Sequence, residues 1–219
     1  MVRGQKKEGE CNLSRYIDAK CKICRREGKK LFLKGDRCYS PKCPINKKGA
    51  VPPGIHGLRR RRRFSDFGQQ LREKQKAKRF YGIRERQFKR YFDLATKKRG
   101  GVGDFLLRIL ESRLDNVVYR LGLVPSRSVA RQIISHGHIQ VDGRKVNISS
   151  YQLSPGQVIS LTAKGFKIEN VKKMLANKDY QVPVWLEKKA AVGKVKKLPK
   201  RSEIDTEVDE NLIIEYYSR

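Results

Sequence analysis

Residues 112–143 read SRLDNVVYRLGLVPSRSVARQIISHGHIQVDG, and this stretch decides the architecture. Asp104 opens a run in which Leu106, Leu107, Leu110, Leu114, Val117, Val118 and Leu121 recur at helical spacing, so one amphipathic helix is predicted over 104–121, stopped by Gly122. Ser126 can accept from free backbone N–H groups and opens a second helix, with Val129, Ala130, Ile133 and Ile134 inward and Gly137 after it. His138 to Val141 alternates as a strand, Asp142-Gly143 is a type I′ hairpin signal, and Lys145 to Ile148 returns. Ser154-Pro155-Gly156 makes a further turn before a third strand, Val158 to Leu161. Two helices leaning on a small curled antiparallel sheet are therefore expected over 104–162.

Moving outward, a helix is expected from Phe166 to Lys178 and an edge strand from Val182 to Leu186, where Pro183 cannot donate to a ladder. Lys188 to Arg201 is basic and interrupted by glycine. The tail from Glu203 to Arg219 holds six acids and one cation and ends in a strand-like run, Leu212 to Tyr217. Such a tail is expected to dock on the protein's own basic surface or on a partner protein. Upstream, Gly100, Gly101 and Gly103 form a flexible break. A helix is predicted from Arg84 to Lys98, with Phe88, Tyr91, Phe92 and Ala95 as its core side, and another from Ser65-Asp66 to Tyr81, stopping near Gly82. Val51 to Gly57 carries two prolines and two glycines, which makes a stiff, extended connector.

Charge bounds the function. The 219 residues carry 52 Lys and Arg against 22 Asp and Glu, a formal net charge of +30. Such a chain repels itself until a polyanion neutralises it and releases counterions. Residues 59–99 alone hold 17 cations and 4 acids. The five consecutive arginines, Arg59, Arg60, Arg61, Arg62 and Arg63, read as phosphate contacts, because guanidinium forks match phosphate oxygens. The chain has no apolar span of about 20 residues, so no membrane partner is expected, and Met1 to Glu10 has no apolar signal-peptide core. A reducing intracellular setting follows, in which thiols favour metal over disulfide.

Cys21, Cys24, Cys38 and Cys43 are spaced C-x2-C-x13-C-x4-C. Thiolates at this spacing suit one structural, tetrahedral Zn2+ per chain, although an iron–sulfur cluster also accepts four thiolates. Leu31 to Leu33 reads as a short strand between Gly28 and Gly35, forming a hairpin that brings the two pairs face to face. A segment this small would draw on the order of 10 kcal/mol of folding free energy from its metal. Cys11 is read as a free thiol, and His56, His136 and His138 as turn or RNA-contact residues.

The stretch 112–143 resembles the S-four RNA-binding module. Cys21 to Gly28, Leu33 to Gly35, Pro52 to Gly54, Leu71 to Gln75 and Glu85 to Phe88 resemble the bacterial-type family of small-subunit ribosomal protein S-four. The likeness runs from about Cys21 to the C-terminus. The arm before Cys21 is longer than the family pattern, and Ile55 stands where that pattern carries glutamine. The resemblance implies binding of 16S rRNA early in 30S assembly, at a multihelix junction of the 5′ domain. It implies neighbours among the small-subunit proteins, five and twelve, an influence on decoding accuracy, and a place near the mRNA entry channel. The compartment is then the cytoplasmic 30S subunit, with an organellar ribosome as the alternative. Zinc on the four cysteines is likewise a property of many relatives.

The fold class is accordingly α+β: a zinc-bound N-terminal segment and helical domain, with a two-helix, small-sheet RNA-binding domain inserted before C-terminal strands. The divisions are an arm over 1–20, a zinc segment over 21–50, a basic helical domain over 51–103, the module over 104–180 and a C-terminal segment over 181–219 that packs on the helical domain. Candidate RNA contacts beyond the arginine run are Arg72, Lys76 and Arg84 in the helical domain. In the module they are Arg113, Arg127 and Arg131 at exposed helix edges, and Arg144, Lys145 and Lys164 in or after the hairpin. The rival readings are an RNA-modifying enzyme targeted by the same module, with Arg113-Leu114-Asp115 as its catalytic triplet, and a zinc-containing DNA-binding regulator. Neither an enzyme-sized extra domain nor C2H2 spacing is present, and Val117-Val118 continue a buried stripe, so Asp115 is read as a salt-bridging residue.

Overall fold

The structure, a computed structural model, describes residues 16, 18–57, 64–177 and 180–219. Cys11 and the arginine run, Arg59 to Arg63, lie outside the described residues. The elements in chain order are α1 (Lys20–Glu27), α2 (Pro44–Lys48), α3 (Asp66–Tyr81), α4 (Glu85–Thr96), α5 (Val102–Glu111), α6 (Leu114–Arg120), α7 (Arg127–Ser135), β1 (Ile139–Val141), β2 (Arg144–Lys145), β3 (Val158–Leu161), α8 (Ala163–Phe166), α9 (Glu169–Ala176), β4 (Leu186–Lys189), β5 (Val192–Val195) and α10 (Glu210–Tyr217). Two short 3-10 turns cover Gly35–Cys38 and Arg201–Glu203. Among the described residues no helix is long and apolar enough to cross a membrane.

Two large cores form. The first packs α6 and α7 against one antiparallel sheet of order β2-β1-β3-β5-β4, with Leu114, Val118, Ile134, Ile139, Ile159 and Trp185 buried. The second packs α3, α4, α5 and α10 through Tyr81, Phe88, Phe92, Leu106, Leu110 and Ile213. A small third cluster joins Ile23, Cys24 and Leu31. Several expected signals operate as read. The Ser65 and Ser126 side chains accept from Gly68 N–H and Val129 N–H, and Gly82 and Gly122 end their segments at φ 62° and 63°. Asp142 and Gly143 both take positive φ, as a type I′ turn requires.

The helix expected over 104–121 is two helices. At Ser112 and Arg113 the backbone leaves the intrahelical ladder: Leu114 N–H bonds Tyr151 O at 2.8 Å, Leu153 N–H bonds Ser112 O at 2.9 Å, and Arg113 bridges Gln152. The single apolar stripe thereby splits, Leu106, Leu107 and Leu110 joining the helical core and Leu114 onward the sheet core. The two cores meet at residue 112, eight residues past the point where glycine punctuation placed a boundary.

Four other expectations fail. No strand forms at Leu31 to Leu33; Phe32 turns at φ 48° while Leu31 packs on Ile23 and Cys24, and three residues find no strand to pair with. The edge strand begins at Leu186 rather than Val182, because Leu186 N–H closes a turn on Pro183 O at 2.9 Å. The basic stretch after it forms β5, which with β4 extends the module's sheet instead of packing on the helical domain as expected for 181–219. Gly193 is needed there, since a Cβ would lie 2.2 Å from Leu121 Cδ1. Finally, Leu212 to Tyr217 is helical, not extended. Asp209 caps it by accepting from Asn211 N–H, and Ile213 and Tyr217, one turn apart, both pack on the helical core.

The tail docks on the helical block through the apolar side of α10, and Glu207 adds an exposed ion pair with Lys29. Tyr217 OH donates to Glu85 Oε1 at 2.9 Å, and Glu85 pairs with Lys74 at 2.7 Å and Lys78 at 2.9 Å. Burial alone would raise the Glu85 pKa, but the two lysines hold it down to about 2 from 4.5. A depressed carboxylate stabilises above its unfolded value and loses that contribution as pH falls through the folded one. The urea midpoint should therefore drop between pH 4.5 and 2, and Glu85→Gln should remove part of that acid limb. The carboxylate is 41% exposed, so screening limits the effect to about 1 kcal/mol.

Candidate nucleic-acid interface

The site is built around a buried carboxylate at the joint between the two cores. Asp115 is 1% exposed and accepts from three guanidinium nitrogens. Arg113 grips it with Nε at 3.0 Å and Nη2 at 2.8 Å, and Arg131 adds Nε at 2.6 Å. Each arginine then reaches the helical block: Arg113 Nη1 donates to Tyr91 OH at 2.6 Å, while Arg131 donates to the carbonyls of Tyr81 and Gly82. Burial would push the Asp115 pKa up, yet the two guanidiniums hold it below the ordinary carboxylate range. The carboxylate thus stays charged, and one residue ties α4 and the end of α3 to α6 and α7.

A second knot forms at the last residue of α5. Glu111, also 1% exposed, accepts from Tyr81 OH at 2.7 Å, Asn116 Nδ2 at 2.6 Å and both Nε and Nη2 of Arg120. Burial opposes its ionisation, but Arg120 lowers its pKa overall. The Arg127 guanidinium lies against the rings of Phe80 and Tyr119, 4.1 and 4.5 Å from their centroids. These knots fix the angle between the helical block and the sheet module. A rigid angle is what a protein needs to hold several RNA backbones in one arrangement, since structured RNA is read by shape and phosphate position.

The predicted contact residues separate into two groups. Arg113, Arg127 and Arg131, expected at exposed helix edges, are instead buried at 4%, 6% and 7%. They serve the joint, and the reason is that each faces the other core, which the module's sequence alone does not contain. Lys76 is buried and pairs with Glu73, and Arg72 is half-buried against Glu27. Arg84, Arg144, Lys145 and Lys164 are exposed as expected. To these the structure adds Arg86, Lys89 and Arg90, exposed on α4 opposite Phe88, Tyr91 and Phe92. The helical wheel of α4 could have found them, because every apolar position had already been placed on the other side. A groove of about 190 Å³ at the joint is lined by Arg84, Gln87, Arg113, Arg131, Ser149 and Ser150.

The cysteines form a separate corner. Cys21 and Cys24 lie one turn apart on α1, Cys38 ends the first 3-10 turn and Cys43 precedes α2. Cys24, Cys38 and Cys43 are buried. Burial raises the Cys24 and Cys38 pKa values and the neighbouring thiols add to it, while the backbone N–H groups of Leu31 and Lys34 act in the opposite sense. Lys34 N–H lies 3.4 Å from Cys38 Sγ. Among the described residues no group of three or more His, Cys, Asp or Glu side chains is arranged to hold a metal ion. The donor set itself, four thiols with N–H groups directed at two of them, has the chemistry of a thiolate site for Zn2+.

Comparison with known proteins agrees with this division. A family model described as the ribosomal protein S4/S9 N-terminal domain matches residues 15–111, and one described as the S4 domain matches residues 112–159. The chain is 53% identical over 210 residues to the small ribosomal subunit protein uS4 of Dictyoglomus turgidum, covering 94% of this chain and 100% of that one. It is 52% identical over 209 residues to the uS4A protein of Symbiobacterium thermophilum, with the same coverage. It is 51% identical over 210 residues to the uS4 protein of Natranaerobius thermophilus. Matched by the two models over residues 15–159 and by full-length relatives over 94% of its length, with its two cores meeting at residue 112 where one match gives way to the other, the chain belongs to the bacterial S4 family of small-subunit ribosomal proteins.

Proposed function

We infer that this chain is a structural constituent of the bacterial small ribosomal subunit, that it binds 16S rRNA, and that it performs no bond-making of its own. One observation carries the reading: Asp115, with Arg113 and Arg131, rivets two cores together beside a solvent-facing set of cations that form no ion pair among the described residues. The rivet sets the angle and the cations supply counterion release. The enzymatic alternative loses its base, because both Asp115 oxygens are occupied by guanidinium and the carboxylate is held below its ordinary pKa.

The finer reading is that the protein seats early in 30S assembly at a multihelix junction of the 5′ domain. There it would lie beside small-subunit proteins five and twelve and near the mRNA entry channel, contributing to translational accuracy. The test is binding to a folded 5′-domain rRNA fragment against an equal length of duplex DNA at moderate salt, together with co-sedimentation with 30S particles. Preference for the rRNA fragment and co-sedimentation are expected. Equal affinity for both would reduce the chain to a generic polycation.

A structural Zn2+ on Cys21, Cys24, Cys38 and Cys43 is part of the same proposal, supported by the ligand spacing, the burial of three thiols and the N–H groups directed at two of them. The metal would supply cohesion to a segment whose own apolar cluster is small. Elemental analysis should find one zinc per chain, lost on Cys38→Ser. Iron in its place would assign a cluster, and a metal-free sample with its fold intact would refute both.

A further inference from the structure

The cysteine corner touches both cores, and the two contacts differ in kind. Toward the helical block the contact is broad. Glu27, the last residue of α1, has a side chain only 2% exposed and pairs with Arg72 and Arg79 of α3. Ile23, Cys24 and Leu31 pack with Phe80, which also packs on the helical core. Toward the module the contact is narrow. Gly35 presses on the loop before α7 so closely that a Cβ there would lie 2.7 Å from Pro125 O and 2.9 Å from Pro125 Cβ. Lys20 Nζ donates to Ser128 Oγ at 2.6 Å. A cavity of about 540 Å³ adjoins these two points, lined by Lys20, Lys34, Arg37, Ser126, Ser128 and Gln132.

We propose that this corner is a clasp between the two cores, and that its grip on the module depends on metal loading. This rests on the zinc reading of the four thiols and adds what that metal controls.

The placement of the contacts decides which one the metal governs. Glu27 is held by the hydrogen-bonded ladder of α1 and by a buried ion pair, neither of which needs a metal. Gly35 stands in the stretch between α1 and α2, whose one regular element among the described residues is the 3-10 turn Gly35–Cys38. Of the residues from 32 to 37 only Gly35 is buried, and what it is buried against is Pro125. A turn with so few apolar contacts belongs to the low end of local stability. Cys38 ends that turn, whereas Cys21 and Cys24 lie on α1. Ligation of all four thiols to one ion therefore ties the turn to α1 and raises the cost of its opening. Loss of the ion frees Gly35 from Pro125 and leaves α1 on α3. The Asp115 rivet still joins the cores, but the start of α7 loses its second support.

Hydrogen exchange of the full chain, before and after chelation with EDTA, tests the clasp, with zinc counted by elemental analysis on the same samples. Chelation should speed exchange across 123–132 about tenfold and leave 72–80 of α3 unchanged. Gly35→Ala forces the turn away from Pro125. It should speed exchange at 123–132 with one zinc retained, and chelation should then add little there. Ser128→Ala leaves the cysteine corner intact and removes only the α7 end of the second contact, so a smaller rise in the same segment is expected even where Gly35→Ala disturbs the metal. A zinc-loaded parent whose 123–132 exchange ignores chelation would overturn the clasp and leave the zinc reading standing. Equal acceleration at 72–80 would overturn it as well, because the metal would then stabilise both cores alike. A parent that carries no zinc removes the zinc reading and the clasp together.

Discussion

Asp115→Asn should cost about 3–5 kcal/mol of stability, because it leaves the buried guanidiniums of Arg113 and Arg131 without their charge partner. That is a large share of the total stability of an ordinary domain. The consequence extends beyond stability, since the same contact ties α4 to α6 and α7. Urea denaturation should show a lower midpoint. The transition should also broaden or split as the two cores cease to unfold together, because a single cooperative unit requires the joint. An rRNA fragment added in excess should restore part of the loss, as any ligand of the native state does. A variant as stable as the parent, with one sharp transition, would show that the joint does not couple the cores.

Neutralising Arg86, Lys89 and Arg90 to Gln should weaken rRNA binding by about two orders of magnitude at low salt without changing the fold. All three side chains face solvent and none belongs to an ion pair among the described residues. If each meets one phosphate, the slope of log affinity against log salt should flatten by about two to three. The parent protein, contacting roughly ten phosphates, should lose on the order of a thousandfold or more between low and moderate salt. Filter binding across a salt series measures both quantities. An unchanged slope would return the outer face of α4 to the status of solvated surface. The contrast with Arg113 and Arg131 is diagnostic: their replacement should lower stability first and binding only as a consequence.

Much of the architecture is legible in the chain because its signals are local. The caps at Ser65 and Ser126, the stops at Gly82 and Gly122, and the Asp142-Gly143 turn each depend on a few neighbouring residues, and each acts as its chemistry predicts. The misread segments depend on distant ones. Leu212 to Tyr217 is apolar enough for a strand, and only the helical face offered by α3 and α5 makes it α10. The stripe over 104–121 has unbroken helical period, and only the loop at 149–153 reveals that two residues of it pair elsewhere.

The same division holds for function. The family, the polyanionic partner and the cysteine donor set follow from composition, motif and spacing, because charge excess and ligand chemistry are properties of the residues themselves. Which arginines touch solvent does not follow. Arg113 and Arg131 have the side chain of a phosphate ligand, as Arg86 and Arg90 do, but a second core covers the first pair and leaves the other bare. Burial depends on where a distant segment packs. Only the tertiary structure therefore decided which cations hold the protein together and which remain free to meet a phosphate.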